Sequence, residues 1–250
     1  MTIRHGLIPL AASVLFFLSP ISTRALDLTV YTEPLPPLHY AEDGKVVGIA
    51  TEIIEEIFRL AGYRPRVEIY PWKRSYHLVQ KQKNQFIYTL NRTEKRESLF
   101  KWIGPFLTKK TYLYKLRGRA DITLNNLEDA KKYVTAVVLG HSLTLRMEEL
   151  GFAEHVNLVM TPDKSIQMKV FLNKRCDLIT ANDYTIHRAL ESVNLKMADV
   201  EPALLISESG YYLGAHPDTD PAIVQRLQNG SDMLYQSDVS KKFIEKYMSR

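Results

Sequence analysis

The sequence predicts an α/β fold of two lobes, each a largely parallel sheet flanked by helices. The prediction depends on short apolar strand patterns that alternate with amphipathic helix patterns. The alternation occurs twice, over residues 27–111 and 117–205, and each block is the size of a small lobe. Strands that alternate with helices favour parallel sheets covered by helices. About 225 residues beyond a leader fit one large or two small domains.

The elements of the first half follow from hydrophobic period and turn residues. LTVYT at 28–32 alternates as a strand does, and the stretch after Gly48 carries apolar residues on one helical face until Gly62. The same criteria predict strands at 66–70, 86–90 and 112–116 and a helix at 72–80.

The second half repeats the pattern. Ser142 and Ser165 are predicted to cap two of its helices, and Asp220-Pro221 begins another. The predicted helices cover 127–133, 142–151, 166–173 and about 183–192, followed by two terminal helices after Asp220 and Asp238. The predicted strands cover 134–140, 156–160, 176–180 and 211–215.

The first 25 residues predict a secretory signal peptide. Arg4 and His5 precede the apolar run LIPLAASVLFFL, and Thr23-Arg24-Ala25 offers small residues for cleavage after Ala25. The alternative is an uncleaved anchor, but a membrane span needs about 20 apolar residues. The predicted parts are a signal peptide at 1–25, a first lobe at 26–111 and 210–250, a second lobe at 112–209, and hinge crossings near 112–116 and 206–210.

The number of cysteines and the net charge indicate in which compartment the protein resides and which kinds of partner it has. Cys176 is the one cysteine of the sequence, so no internal disulfide forms and no cysteine near Ala25 would carry a lipid. We therefore expect a monomer in the periplasm that is not a lipoprotein. Loss of Arg4 and Arg24 with the leader lowers the formal charge from +5 to +3. This small and scattered excess does not indicate a nucleic-acid partner.

The sequence lacks the common patterns of catalysis and cofactor binding. It has no P-loop, no dinucleotide fingerprint and no Gly-x-Ser-x-Gly elbow. Its seven histidines are dispersed, so neither they nor Cys176 form a zinc pattern. Cys176 opens an apolar strand and is interpreted as a packed thiol. We expect no cofactor, no metal and no catalytic residue.

One charged stretch, LNRTEKRESLF at 90–100, is a candidate anion site. Thr93 follows a predicted strand as an N-cap, which places Lys95 and Arg96 in the first helical turn. Cations are unfavourable there unless an anion is present, because the helix dipole is positive at its start. One arginine therefore either forks a carboxylate in the cleft, or these cations are solvated and paired with nearby glutamates.

Two other turns are weaker candidates on local grounds. Trp72 follows a strand and Pro71, where an aromatic ring either floors a ligand or packs in the core. Gly140-His141-Ser142 precedes a predicted helix, whose free N–H groups either meet an anion or only cap the helix.

The order of these parts resembles the family-3 extracellular solute-binding proteins, with the type II periplasmic binding fold. The resemblance covers 27–250. It is carried by the segments VYTEPLPPLHYAEDGKVVGIATEIIEEIF, YPWKRSYHLV, TEKRESLFKWIGPF, NLEDAKKY, RCDLITAND and YYLGAHPDTDPAI. It implies two lobes that close on a small solute and deliver it to a permease of an ABC transporter or to a receptor.

The resemblance also implies roles for individual residues. Arg96 of TEKR falls where the family holds the ligand carboxylate, whereas Arg92 falls before that motif. The other implied ligand-binding residues are Thr89 and Asn91 at a strand end, Trp72 as an aromatic wall, Glu33 after the first strand, and Ser142 at a helix start in the second lobe.

The chain departs from the family pattern in the second lobe. Amino-acid binders of the family carry an acid that accepts the ligand ammonium, and Asn182 of TAND stands there, with Asp183 one place later. A neutral amide loses part of that interaction, since charged hydrogen bonds contribute roughly 1.5–3 kcal/mol against about 1 for neutral ones. The ligand is therefore either an amino acid or a differently substituted carboxylate.

Three functions follow as hypotheses. The first is a binding protein for a small carboxylate-bearing polar solute, with Arg96, Trp72 and either Asn182 or Asp183 as contacts. The second is a prephenate or arogenate dehydratase on the same fold, with Glu33 or Asp183 as general acid. The third is a ligand-sensing module that acts through a separate partner.

Overall fold

The structure is a computed structural model, and it describes residues 26–140 and 142–248. Its strands are β1 Thr29–Thr32, β2 Tyr40–Glu42, β3 Lys45–Val47, β4 Arg66–Ile69, β5 Gln85–Leu90, β6 Lys101–Leu116, β7 Thr135–Val138, β8 Leu158–Thr161, β9 Leu178–Asn182 and β10 Val200–Ala215. Its α-helices are α1 Ile49–Leu60, α2 Trp72–Val79, α3 Leu127–Ala130, α4 Ser142–Glu149, α5 Lys164–Leu172, α6 Ile186–Glu191, α7 Pro221–Tyr235 and α8 Val239–Met248. The predicted α/β fold is confirmed.

Two parallel blocks are joined by two long antiparallel strands. The hydrogen-bonded order is β4-β1-β5-β10-β6-β9-β7-β8. Strands β4, β1 and β5 are parallel, as are β9, β7 and β8. Strands β6 and β10 pair with each other along almost their whole length. Their outer ends complete the first block and their other ends the second.

The core of the first block depends on helix α1. Its buried residues recur every three or four positions, which places one apolar face on the sheet. These residues are Ile49, Ile53, Ile54, Ile57 and Phe58, all fully buried. The helix begins after Gly48, which has φ of 126°, and a Cβ there would lie 2.5 Å from the carbonyl oxygen of Leu38. Only glycine fits this close approach.

The second block has its own core. Phe171 of α5 and Ile179 of β9 pack there with Cys176, which is 3% exposed. Burial raises the pKa of the Cys176 thiol to about 12, with Asp177 adding to the effect. The interpretation of Cys176 as a packed thiol is confirmed. In the described residues no group of three or more His, Cys, Asp or Glu side chains is placed to hold a metal ion.

Several sequence-based boundaries differ from the structure. The hairpin β2–β3 was not predicted, because three-residue strands carry too little alternation. Strand β6 begins at Lys101, well before the predicted 112–116, because Gly104-Pro105 resembles a turn in sequence. Strand β10 likewise extends over sixteen residues, far beyond the predicted 211–215.

The predicted Ser165 cap is wrong. Helix α5 begins at Lys164, and the side chain of Asp163 accepts a hydrogen bond from the N–H of Ile166 at 2.8 Å. Asp163 satisfies a backbone donor at the start of the helix, which leaves Ser165 inside the first turn. At Asp220-Pro221 the predicted cap is confirmed, since Asp220 accepts from the N–H of Ala222.

We expect Asp163→Ala to lower the free energy of unfolding by about 1 kcal/mol, because the substitution removes the cap of α5. Urea denaturation of the purified protein measures this change. Ser165→Ala is the matched control, and we expect it to change the free energy by less than about 0.5 kcal/mol. A larger loss for Ser165→Ala than for Asp163→Ala would restore the sequence-based cap.

The predicted signal peptide lies outside the described residues. In the part of the chain that the structure describes, no helix is long and apolar enough to cross a bilayer. The predicted lobe boundaries and hinge crossings stay predictions.

Candidate ligand-binding site

The polar residues predicted for the site converge where strands of both blocks end. Glu33 follows β1 and Asn91 follows β5, and these parallel neighbours end at the same edge. Asn182 ends β9, which pairs with β6 so that Asn182 lies opposite Thr111. Asp183 continues this contact: its N–H donates to the carbonyl of Lys110, and its Oδ1 accepts from the Lys110 N–H at 3.2 Å.

Arg96 is held by aromatic rings. Its guanidinium carbon lies 5.6 Å from the ring centroid of Trp72 and 5.4 Å from that of Tyr76, within cation–π range. Its Nη1 donates to the carbonyl of Asn91 at 3.1 Å. Arg96 is half-buried, and no described carboxylate forms an ion pair with it. The contacts with the rings and the carbonyl therefore fix the position of the guanidinium, and its remaining N–H donors can bind a ligand.

Arg92 is different, although it lies only four residues away. Its Nε donates to Oε2 of Glu97 at 2.9 Å, and its Nη2 donates to Oε1 of the same carboxylate. Its guanidinium packs near Trp102 and Tyr212. Arg92 is therefore the paired surface arginine of this stretch, and Arg96 has no described carboxylate partner.

The segment that carries Arg96 is helical, as predicted, but it is short and tightly wound. Residues Glu94–Leu99 form a 3-10 helix of six residues. Thr93 occupies the cap position, but its side chain makes no capping bond. A helix of six residues supplies little dipole, so the case for Arg96 depends on its side-chain contacts.

Thr89 carries backbone strain next to these residues. Its φ is 60°, a conformation that a β-branched residue rarely adopts. Thr89 is 8% exposed, and its buried hydroxyl has no hydrogen-bond partner among the described residues. Strain and an unsatisfied hydroxyl at one residue are features of functional sites.

Trp72 and Asn91 both contact cationic side chains. Trp72 begins α2 and packs against Tyr76 with 5.6 Å between ring centroids. Asn91 accepts from Arg96 through its carbonyl and from Lys109 through Oδ1 at 2.5 Å. The contacts within the protein therefore make Asn91 a positioning residue for two positive charges.

Glu33 is an acid in a poorly solvated place. Burial raises the pKa of its carboxyl to about 7, and no described cation pairs with it. The carbonyl of Glu33 accepts a hydrogen bond from Nδ1 of His39, a fully buried histidine that holds the loop. The carboxyl of Glu33 is therefore protonated below, and ionised above, a pH near neutrality.

Asn182 and Asp183 take different roles on the second block. Oδ1 of Asn182 accepts from the N–H groups of Tyr184 and Thr185 at 3.1 and 3.0 Å, so this oxygen is used to form the turn before α6. Its Nδ2 points to the hydroxyl of Tyr211 at 3.4 Å. Asp183 is half-buried, and burial raises the pKa of its carboxyl.

Sequence reasoning missed Lys109, Lys164 and Tyr211. Nζ of Lys109 lies 4.1 Å from the ring centroid of Tyr211, a buried residue of β10. Nζ of Lys164 donates to Oγ1 of Thr185 at 3.1 Å. Burial lowers the pKa of each lysine to about 8. Lys164 had a usable signal, since a cation in a first helical turn is unfavourable. Lys109 had none, because lysine-rich strands are usually solvated.

The side chain of Ser142 lies outside the described part of the structure; the residue begins α4. A separate groove of about 500 Å³ lies between β3 and α1, with Glu52 and Glu55 on its wall. None of the predicted site residues lines this groove, so it is distinct from the candidate site.

The family model of the bacterial extracellular solute-binding proteins, family 3, matches residues 28–250. The chain belongs to this family. None of the curated proteins matches the sequence of this solute-binding protein.

Solved structures give the same fold. One is a histidine kinase sensor domain with similarity to periplasmic binding proteins, at 16% identity and a TM-score of 0.72, covering 90% of this chain and 97% of that one. A second is the GluR0 ligand-binding core in complex with L-glutamate, at 14% identity and a TM-score of 0.72, covering 90% and 99%. A third is the arginine-, lysine-, histidine-binding protein of Geobacillus stearothermophilus, at 13% identity and a TM-score of 0.67, covering 90% and 96%. The predicted type II periplasmic binding fold is confirmed.

Proposed function

We propose that this protein captures a small carboxylate-bearing polar solute between its two lobes. The observation that carries the proposal is Arg96, whose guanidinium is braced by two rings and has no described carboxylate partner. A planar guanidinium forks a carboxylate with two hydrogen bonds. The strained Thr89 nearby adds a buried hydroxyl without a partner. In this proposal Trp72 braces Arg96, while Glu33 and Asp183 accept or donate one further hydrogen bond each.

The proposal extends to delivery of the ligand. Closure of the lobes around the solute would present a surface to a membrane permease of an ABC transporter, or to a receptor, from the periplasm. Sensor domains and amino-acid-binding proteins share this fold, which supports both kinds of partner. The capture step is the same in both cases.

A ligand panel tests the capture step. We expect at least one member of a panel of amino acids, hydroxy acids and dicarboxylates to raise the melting temperature by about 3–5 °C at millimolar concentration, because a ligand that binds only the folded state stabilises it. Differential scanning fluorimetry measures the shift. No shift with any carboxylate would contradict the proposal.

Glu33 supports a second candidate function, the dehydratase. A carboxyl with a pKa of about 7 holds and releases a proton near neutral pH, as a general acid must. Incubation of the purified protein with prephenate or arogenate, followed by chromatography of the products, tests this function. Release of phenylpyruvate or phenylalanine would establish it, and Glu33→Gln would then abolish the turnover.

A further inference from the structure

The candidate site contains more positive charge than one carboxylate needs. Its cations are Arg96, Lys109 and Lys164, and none has a described carboxylate within ion-pair distance. Its acids are Asp183 and Glu33, and Glu33 is about half protonated near pH 7. Partly buried charges without partners are unfavourable, so a site of this kind is organised around anions.

Lys109 is directed inward by neutral partners. Its ammonium lies on the face of Tyr211 and donates to Oδ1 of Asn91, the same residue whose carbonyl holds Arg96. Burial lowers its pKa, and the nearby positive charge of Lys164 lowers it further, while the charge of Asp183 raises it. Lys109 therefore lies close enough to Lys164 and to Asp183 for both charges to act on it.

Lys164 begins helix α5, where the aligned peptide dipoles already favour an anion. A lysine in this place adds its charge to that of the helix terminus. The ammonium has a single described hydrogen bond, to the hydroxyl of Thr185. Thr185 in turn donates its N–H to Asn182, which links Lys164 to the polar groups of β9.

Acceptors for a ligand ammonium are few in the same region. Oδ1 of Asn182 already accepts two backbone N–H groups, so the side chain can offer a ligand only its Nδ2 donor. Oδ1 of Asp183 accepts from the N–H of Lys110. The three cations therefore outnumber the two acids, Asp183 and the partly protonated Glu33, which favours a ligand with two anionic groups over a zwitterion.

We propose that the ligand is a small dicarboxylate, with one carboxylate at Arg96 and the other at Lys109 and Lys164. The inference rests on the proposed function, since it names the chemical class of the solute in the same site. Each lysine would gain a charge-assisted hydrogen bond on binding, which compensates the lost hydration of its ammonium. A protonated Glu33 would donate to the same ligand.

Isothermal titration calorimetry at pH 7.0 with glutarate, L-glutamate, L-glutamine and inorganic phosphate tests the inference. Glutarate and L-glutamine differ in the second anionic group and in the ammonium. We expect a dicarboxylate to bind at least about tenfold tighter than L-glutamine. We expect Lys109→Gln and Lys164→Gln to weaken the dicarboxylate at least about tenfold and to leave L-glutamine within about threefold.

Lys169→Gln is the matched control. Lys169 is exposed in the last turn of helix α5, five residues after Lys164, and no described carboxylate pairs with it, so the substitution removes the same charge outside the site. We expect it to leave the affinity for the dicarboxylate unchanged. Lys164→Arg keeps the charge and should retain most of the binding. The melting temperatures of ligand-free Lys109→Gln and Lys164→Gln should equal or exceed that of the wild type, because an uncompensated charge has been removed.

Three results would overturn the inference. They are tighter binding of L-glutamine than of either dicarboxylate, equal dicarboxylate affinity in the wild type and both lysine variants, or tighter binding of phosphate than of any dicarboxylate. Each of these leaves capture of a solute at Arg96 intact. Failure of every carboxylate to bind would instead reject the proposed function and the inference together.

Discussion

Arg96→Ala is expected to lower the affinity for the ligand about 100-fold, while Arg92→Ala changes it less than about threefold. The two arginines lie four residues apart and both contact aromatic rings. Arg92 is already paired with Glu97 on an exposed surface, where an ion pair contributes little. Arg96 has no described carboxylate partner, so a ligand carboxylate would supply the missing one. The loss corresponds to about 2.7 kcal/mol.

Calorimetric titration with the best ligand of the panel measures both affinities. Arg96→Lys separates charge from geometry, because lysine keeps the charge but cannot form the planar fork. We expect the lysine variant to lie between the wild type and the alanine variant. Equal affinities for Arg96→Ala and the wild type would remove Arg96 from the site. A large loss for Arg92→Ala would assign the carboxylate to the other arginine.

Glu33→Gln is expected to stabilise the ligand-free protein at pH 8 by roughly 2–3 kcal/mol. Burial raises the pKa of Glu33 from 4.5 to about 7. Between these values the folded protein binds more protons than the unfolded chain, so wild-type stability falls as the pH rises. The favourable contribution of the protonated acid is complete below about pH 4.5 and lost as the pH rises through about 7. A neutral glutamine avoids this loss.

Urea denaturation of both proteins at several pH values measures the difference. We expect it to be largest at pH 8 and close to zero at pH 4. His39 is buried with a lowered pKa and titrates in the same range, but both proteins carry it and the comparison largely removes its effect. Glu148→Gln, on the exposed side of α4, is the control and should change little at either pH. An equal gain at pH 4 and pH 8 would show that ionisation of Glu33 is not the cause.

Local sequence patterns were sufficient for most regular elements. Helix α1 has apolar residues on one helical face, and strand β5 is a short apolar run between polar turn residues. These patterns identify both elements directly from the sequence. Strands β6 and β10 were mostly missed, because Gly104-Pro105, Pro202 and Gly210 interrupt the alternation inside them. Their pairing with each other holds these residues extended, and such pairing depends on partners about 100 residues away.

The candidate site likewise has residues that the sequence predicted and residues that only the structure revealed. Arg96, Trp72 and Glu33 were nominated from residue type, strand ends and the family resemblance. In the structure Glu33 follows β1 of the first block, and Asn182 and Asp183 lie at the end of β9 in the second block. The resemblance favoured Arg96 over Arg92. The observation on this chain that distinguishes the two arginines is the pairing of Arg92 with Glu97. It came only from the folded structure, because this pairing depends on side-chain geometry.

The sequence by itself determined the α/β class and the family, since hydrophobic period and the order of motifs are local properties of the chain. The tertiary structure decided which charges are paired. Lys109 and Lys164 are 55 residues apart in number and belong to different elements, and only folding removes both ammonium groups from water and places Lys109 near Asp183 and Lys164. Desolvation and pairing depend on neighbours distant in sequence, which is why a lysine-rich strand and a first-turn lysine became site residues only in three dimensions.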